Sequence, residues 1–278
     1  MSLARSLALT PILSAWLWAQ FPPAGVRTDV LLIGDPAAMA RAGNYGGAMY
    51  PAQRYLESHP DSWGARWYLA GALYHHGSID PRSTDEAILA YGMVLTRMPP
   101  EPALVAPVQF WRGRCQLMKG AFQAAHASFG AALATGDLQY LKDAAPYYWA
   151  GKAAVQAKDW KVSLTLLDQA IAATTNSLNK GDGWRWKSEA LLGLGRQGEA
   201  LDSAEAAIRE YATVYHQLPP MLYLQRAECL LAGPSPIQAI PDLKRVLEAR
   251  PIGKEEKDCQ AKAKDLLARF PAASGAAK

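Results

Sequence analysis

The chain has 278 residues, half of them apolar, and its 29 Lys and Arg against 25 Asp and Glu give a net charge of +4. This apolar content excludes a disordered chain, and the length suits one domain or one continuous array of repeats. Because the charge is small and the basic residues are spread along the whole sequence, we expect no nucleic-acid partner.

The N-terminus has the pattern of an export signal. A positive start over residues 1–5 precedes an apolar stretch over 6–19, which ends at Ala19, a candidate cleavage position. As a helix this stretch would span about 21 Å, short of the roughly 30 Å hydrocarbon core of a membrane. We therefore expect a signal peptide over 1–19, a linker over 20–35, and a mature protein that is soluble and either periplasmic or secreted. An uncleaved anchor and an apolar helix that stays in the protein are the open alternatives.

Small residues recur along the chain at intervals of 39, 38, 38, 37 and 39, at Ala48, Ala87, Ala125, Ser163, Ala200 and Ala239. Apolar residues follow each of them at spacings of four and seven, as Tyr91 and Val94 do after Ala87. These spacings lie on one face of a helix, where a small residue allows a neighbouring helix to approach closely. A near-constant period of this length predicts a stacked array of helical repeats, none of which can bury its apolar face alone.

Each repeat is predicted to contain two helices joined by a tight turn. Four such turns contain Gly43, Gly120, Lys158 and Gly195. Glycine or a polar residue permits the chain reversal there. The second repeat has a longer turn over residues 76–83, which we expect to form a surface loop. Three of the second helices are followed by proline, at Pro60, Pro99 and Pro251, which prevents further helix.

The second repeat resembles the tetratricopeptide repeat. Its first helix contains Trp67-x-x-Ala70-Gly71-x-x-Tyr74, and the sequence continues with Ala87, Tyr91, Val94 and Pro99. Ala70 stands where the family usually has leucine, and the period is nearer 38 residues than the usual value of about 34. The likeness covers residues 36–251 in six repeats, at about 36–61, 62–100, 104–137, 140–176, 182–212 and 219–251.

The resemblance implies an all-α fold, a right-handed superhelical solenoid of about six helix-turn-helix repeats closed by a C-terminal capping helix. We expect the cap over residues 254–270, with Leu266, Leu267 and Phe270 facing inward, and a disordered tail over 271–278. Together with the export signal, these features indicate an exported bacterial protein similar to the tetratricopeptide repeat family.

None of the motifs typical of enzymes or metal sites occurs in the sequence. The five histidines are scattered, and the adjacent His75 and His76 would point about 100° apart on a helix, which is unfavourable for binding one metal ion. A phosphate loop, a dinucleotide-binding fingerprint and a nucleophile elbow are all missing. We therefore expect no catalytic residue, no metal and no cofactor.

Three cysteines are too few for a disulfide scaffold. Cys115, Cys229 and Cys259 are either buried thiols, or the last two form a bridge that ties the final repeat to the capping helix.

A row of aromatic residues lies in the first helices. Trp111, Trp149 and Trp186 each stand fourteen residues before the small residue of their repeat, and a charged residue follows each of them three positions later, on the same helical face. In this family the first helices line the concave groove, so the row and its neighbours are candidates for binding a partner. The candidate residues are Tyr68, His75, Phe110, Trp111, Arg114, Tyr148, Trp149, Lys152, Arg185, Trp186 and Glu189.

Two interpretations of the tryptophan row stay open. The rings fill gaps between repeats, or they form the floor of a groove. The residues that follow the three tryptophans, Arg112, Ala150 and Lys187, stand where the family usually keeps leucine. This departure indicates rotated helices with the indole rings turned toward the core.

The expected function is a non-catalytic scaffold or adaptor in the cell envelope that binds a peptide or a helix of another protein. The alternative is a cell-wall glycan-binding module whose tryptophan rings stack on sugars. Some members of the family grip the C-termini of chaperones with lysine, asparagine and arginine, and the matching positions here are apolar or aromatic, which argues against that partner. The sequence does not predict an oligomeric state.

Overall fold

The computed structural model describes residues 42–270 and the isolated residues 22 and 39. The predicted signal peptide, the linker apart from residue 22, and the C-terminal tail lie outside the described residues. The described part of the chain forms twelve α-helices and two short 3-10 helices and contains no strand. By its internal contacts the chain divides into two compact bodies: the N-terminal body, residues 1–153, and the C-terminal body, residues 154–278.

The helices of the N-terminal body are α1 (Tyr45–Ser58), α2 (Trp63–His76), α3 (Pro81–Arg97), α4 (Pro102–Met118) and α5 (Phe122–Ala134), followed by a 3-10 helix (Gln139–Ala144). Helix α6 (Pro146–Gln156) contains the boundary between the two bodies. The helices of the C-terminal body are α7 (Trp160–Ala173), α8 (Ser177–Gly193), α9 (Gln197–Ala212), α10 (Pro220–Ala232), α11 (Ile240–Glu248) and α12 (Lys254–Leu267), with a 3-10 helix (Pro236–Ala239) before α11. Within each body, helices adjacent in sequence pack against each other.

The second helices of the repeats bury the face that the spacing predicts. The six small residues of the period are all fully buried, and so are the apolar residues four positions after them. Of the residues seven positions after the small ones, only Tyr55 is half-buried. It lies in the first of these helices and stacks on His59, with 4.2 Å between the ring centroids. The predicted register of the repeats is therefore confirmed.

Four turns between paired helices have the same left-handed geometry. Gly43, Gly120 and Gly195 have φ between 73° and 77°, and Lys158 has φ 63°. In each turn the residue after the left-handed one donates its N–H to a carbonyl five residues earlier, as Asp159 does to Ala154 at 2.8 Å. This hydrogen bond satisfies a carbonyl at the helix end and reverses the chain. Lys158 adopts a conformation that favours glycine.

The turn of the second repeat is shorter than predicted. Helix α3 begins at Pro81, so only residues 77–80 form the loop and the expected extent of 76–83 is wrong. The oxygen of Asp80 accepts from the N–H of Arg82 at 3.0 Å, and Pro81 suits the first helical position because it has no N–H to satisfy. Because Asp80 caps helix α3 and Pro81 begins it, the helix starts earlier than the predicted loop over residues 76–83 would allow.

The capping helix α12 packs as predicted. Leu266 is buried, and Leu267 and Phe270 are partly buried against a cluster that includes Leu243 and Val246 of α11. Its N-terminus is closed by Glu256, whose carboxylate accepts from the N–H of Gly253 at 2.5 Å.

The three cysteines are all free thiols, so the alternative of a bridge between Cys229 and Cys259 is wrong. Cys115 and Cys229 are buried and Cys259 is half-buried. Burial raises the pKa of Cys115 to about 12, and it also raises the pKa of the other two thiols. Burial therefore keeps all three thiols protonated at neutral pH.

Substitution Ala125→Leu tests whether the small residues hold the helices together. Ala125 lies fully buried in α5, so three added carbon atoms must displace neighbouring helices, and we expect the free energy of unfolding to fall by roughly 1–3 kcal/mol. Ala127→Leu on the exposed side of the same helix is the matched control and should change it by less than about 0.5 kcal/mol. Urea unfolding followed by circular dichroism measures both. Equal stability of the two variants would contradict the register.

Candidate functional site

Aromatic and basic side chains of three first helices meet in the N-terminal body. We call this group the Arg114 cluster; its members are Tyr74, Trp111, Arg114, Tyr148, Trp149 and Lys152. Tyr74 comes from α2, Trp111 and Arg114 from α4, and the remaining three from α6. Spacings of three residues place Trp111 with Arg114, and Trp149 with Lys152, on one side of their helices.

Tight packing behind α4 holds this helix in place. A Cβ atom at Gly113 would lie only 3.1 Å from the ring of Phe129 in α5, so glycine allows the ring to pack directly on the helix backbone. Phe110 packs edge-on against the same ring, with 5.4 Å between centroids, and against Trp111 at 5.1 Å. Trp111 in turn contacts Tyr74 edge-on at 5.2 Å. These contacts restrict the position of the indole and of the Arg114 side chain one turn further along α4.

The guanidinium of Arg114 is surrounded by rings. Its central carbon lies 3.5 Å from the ring centroid of Trp149, 5.4 Å from that of Trp111 and 5.9 Å from that of Tyr74. The ammonium of Lys152 lies 5.1 Å from the Trp149 centroid. The negative face of an aromatic ring attracts a cation by about 2 kcal/mol when water is excluded. Trp149 therefore positions the guanidinium without supplying a negative charge.

Burial controls the ionisation of this cluster. It lowers the pKa of Arg114, and a hydrogen bond with Tyr74 partly offsets that effect. Burial also raises the pKa of Tyr74, against the opposing influence of the Arg114 charge. Since an arginine remains protonated even after such a shift, the site at neutral pH contains a charged guanidinium beside a neutral phenol.

Two donors in the cluster have no acceptor. The Nη1 atom of Arg114 and the Nε1 atom of Trp111 are buried, and neither has a hydrogen-bond partner in the described part of the chain. Nor does any carboxylate of the described N-terminal body form an ion pair with Arg114. A buried donor without an acceptor costs about 1–3 kcal/mol, and the Nε atoms of Arg66, Arg112 and Arg185 have the same status.

One arginine of the C-terminal body has a complete partner. Arg226 makes two hydrogen bonds of 2.7 Å to the carboxylate of Asp242, which is only 2% exposed. Arg185 lies 3.8 Å from Asp182 and 4.4 Å from the ring centroid of Trp186, and its Nε atom, like Nη1 of Arg114, is buried without a hydrogen-bond partner among the described residues.

The other predicted site residues are placed mainly by packing. Phe110, Trp111 and Trp186 are buried, so the packing interpretation of the row holds for these two tryptophans, whereas Trp149 is half-buried. Tyr68, His75, Arg185 and Glu189 are half-buried as well, and the ring of His75 stacks on Tyr45. Binding of a partner by any of these residues stays a prediction.

Sequence reasoning missed Tyr74 as a site residue. It belongs to the repeat motif, where an aromatic residue is expected to fill the space between helices. The sequence signal for a role in the site was Arg114, which lies forty residues later, in the first helix of the following repeat. Only the packing of α2 against later helices shows that the two side chains meet.

Within residues 42–270, no group of three or more histidine, cysteine, aspartate or glutamate side chains is arranged to hold a metal ion. The helices of this part also include none with the length and apolar character that crossing a membrane requires.

Replacement of the buried cation separates a structural role from a binding role. Arg114→Met removes an uncompensated charge together with its ring contacts, and these effects oppose each other, so we expect the free energy of unfolding to change by less than about 1 kcal/mol. Arg226→Met leaves Asp242 buried without a partner and should lower it by about 3–5 kcal/mol. Urea unfolding of both variants makes the comparison. If Arg114→Met lowered the free energy of unfolding as much as Arg226→Met does, the fold itself would need Arg114.

No protein-family model and no curated protein matches the sequence. Solved structures match the fold over most of the chain. PilW, a widely conserved type IV pilus biogenesis factor, matches with a TM-score of 0.59 at 15% identity, over 81% of this chain and 94% of its own. A tetratricopeptide repeat protein from Parabacteroides merdae matches with a TM-score of 0.58 at 16% identity, over 84% of each chain.

YrrB, a tetratricopeptide repeat protein with an unusual peptide-binding site, matches with a TM-score of 0.53 at 16% identity, over 80% of this chain and 98% of its own. At such identities the likeness concerns the fold, and the helix-turn-helix repeats and their buried register agree with it. The chain has the all-α tetratricopeptide repeat fold.

Proposed function

We propose that the chain is a non-catalytic scaffold that binds a peptide or helical segment of another protein, and that the Arg114 cluster makes the central contact. The observation that carries this proposal is the guanidinium of Arg114, held 3.5 Å from the ring centroid of Trp149 and forming no ion pair with a carboxylate of the described residues in its body. A group that is costly to bury and that leaves its own charge uncompensated is more useful for binding than for folding.

The composition of the cluster supports a protein partner. Tryptophan, tyrosine and arginine contribute most of the binding energy at protein interfaces, because they combine a large contact area with directed polar groups. Here the rings are already fixed by edge-on contacts, such as that between Tyr148 and Trp149 at 5.0 Å. Side chains that are ordered before binding lose little entropy when a partner arrives.

The fold supports the same class of function. Tetratricopeptide repeat structures are among the matches, and one of them, YrrB, is described by its peptide-binding site. We propose an envelope location for this chain because residues 1–19 have the pattern of an export signal. PilW, which matches the fold, is a pilus biogenesis factor.

No observation favours the glycan-binding alternative. A sugar stacks on an aromatic ring only where the face of the ring is open. Trp111 and Trp186 are buried, and one face of Trp149 is covered by the guanidinium of Arg114 at 3.5 Å. A carbohydrate ligand would have to displace that cation first.

A capture experiment tests the proposal. The mature protein is immobilised beside the double variant Trp149→Ala, Lys152→Ala, and both are exposed to an envelope extract that is then read by mass spectrometry. We expect a protein that the wild type retains and the double variant loses, because the variant removes the ring under the guanidinium and the neighbouring charge. Circular dichroism checks that the variant is folded.

The control is Tyr50→Ala, Lys119→Ala, which removes an exposed aromatic residue of α1 and a lysine just after α4, both outside the cluster. It should retain the same protein as the wild type. Equal capture by all three proteins would place binding elsewhere on the surface and overturn the role of the cluster.

A further inference from the structure

We infer that two copies of the chain associate through the turn between α10 and α11, where Ile237 of each copy fills a cavity of the other. This surface lies in the C-terminal body and does not involve the Arg114 cluster, so the inference goes beyond the proposed function.

A cavity of about 160 Å³ lies between the start of α9 and the turn that connects α10 to α11. A cavity of about 150 Å³ lined by apolar groups is large enough to hold a benzene molecule. A Cβ atom at Gly198, which lines this cavity, would meet no atom of the described chain within 4 Å beyond its own helix backbone and its chain neighbours. The cavity therefore has room for one apolar side chain of the size of isoleucine.

The residues around the cavity favour an uncharged ligand. All nine are uncharged side chains or glycine, and the deeper ones, Leu201, Cys229 and Leu230, are apolar or a thiol. A charged side chain buried there would have no counter-ion, which is costly. An apolar side chain is instead stabilised by its removal from water.

Ile237 is an exposed apolar residue beside this cavity. It lies in the 3-10 helix Pro236–Ala239 and is 69% exposed. Side chains three residues apart are aligned in such a helix, so Ser235 and Gln238 line the cavity together and Ile237 projects from another side. Ile237 therefore lies next to the cavity of its own copy and does not fill it.

The turn holds Ile237 in a fixed position. The proline ring of Pro236 fixes the backbone just before it, and the N–H of Ile240 donates to the carbonyl of Ile237. Ala239 is fully buried in a cluster that includes Leu243 of α11. A side chain on a backbone that is already ordered loses less entropy when it binds.

A two-fold axis between two copies uses the projecting side chain and the cavity at once. In a two-fold dimer the same surface of both copies is in contact, and each contact occurs twice. A projecting isoleucine beside a cavity of matching size is self-complementary in this sense, whereas a different protein would have to supply both features in the same arrangement. Two isoleucine contacts make a small interface, so the dimer is weak and depends on concentration.

Sedimentation velocity over about a hundredfold range of protein concentration tests the inference. We expect the weight-average mass to rise from that of one chain toward that of two. Ile237→Ser should weaken dimerisation by about tenfold or more, because each dimer loses two apolar contacts. The matched control is Ile252→Ser, which changes a 91% exposed isoleucine beyond the other end of α11 and should leave dimerisation unchanged.

A second variant, Gly198→Leu, fills the cavity and should weaken dimerisation as Ile237→Ser does. A mixture of the two variants should associate more tightly than either variant alone, since Ile237 of the filled copy can still enter the open cavity of the other. Gly198 and Ile237 are both exposed, and circular dichroism checks that both variants are folded.

Three results would overturn the inference. A protein that stays monomeric at every concentration forms no such dimer. Equal weakening by Ile252→Ser, or a mixture that associates no better than its components, means that the copies meet without the reciprocal contact. If the protein is monomeric and Gly198→Leu loses the protein captured from the envelope extract, the cavity holds a side chain of that other protein. The role of the Arg114 cluster is decided separately, by capture with the double variant Trp149→Ala, Lys152→Ala.

Discussion

The architecture depends on one packing constraint, a small residue that is fully buried at the same place in each second helix. Ala87, Ala125 and Ala200 leave room for a neighbouring helix to approach, and protein interiors are packed so densely that a larger side chain there must push the helices apart. Because each repeat is positioned by its neighbours, this spacing also fixes where the first helices lie. The Arg114 cluster exists because α2, α4 and α6 are held in that order.

Within this frame the Arg114 cluster differs from polar groups that are satisfied within the fold, such as the hydroxyl of Ser188, which donates to the carbonyl of Ala200 at 2.8 Å. Arg114 instead relies on ring faces and a phenol. Ring contacts offset part of the cost of burying a charge. This cation held among aromatic rings is the physical basis for proposing that the cluster binds a protein.

The sequence predicts well the features that depend on spacing along one helix, and less well those that depend on how helices rotate. The buried face of Ala125 and its neighbours follows from apolar residues at spacings of four and seven. The turn at Lys158 follows from the need to reverse the chain between two helices. How far Trp149 is buried depends on the rotation of α6 about its own axis, and no local sequence pattern predicts that rotation. The contact of Tyr74 with Arg114 joins residues in different repeats, so it too could not be read from spacing alone.

The most direct test observes the indole N–H groups of the tryptophans by nitrogen-15 NMR while the protein captured from the envelope extract is added. If that protein occupies the Arg114 cluster, the resonances of Trp111 and Trp149 shift, and the Trp111 resonance of the double variant Trp149→Ala, Lys152→Ala stays in place. Shifts confined to tryptophans outside the cluster would contradict the account.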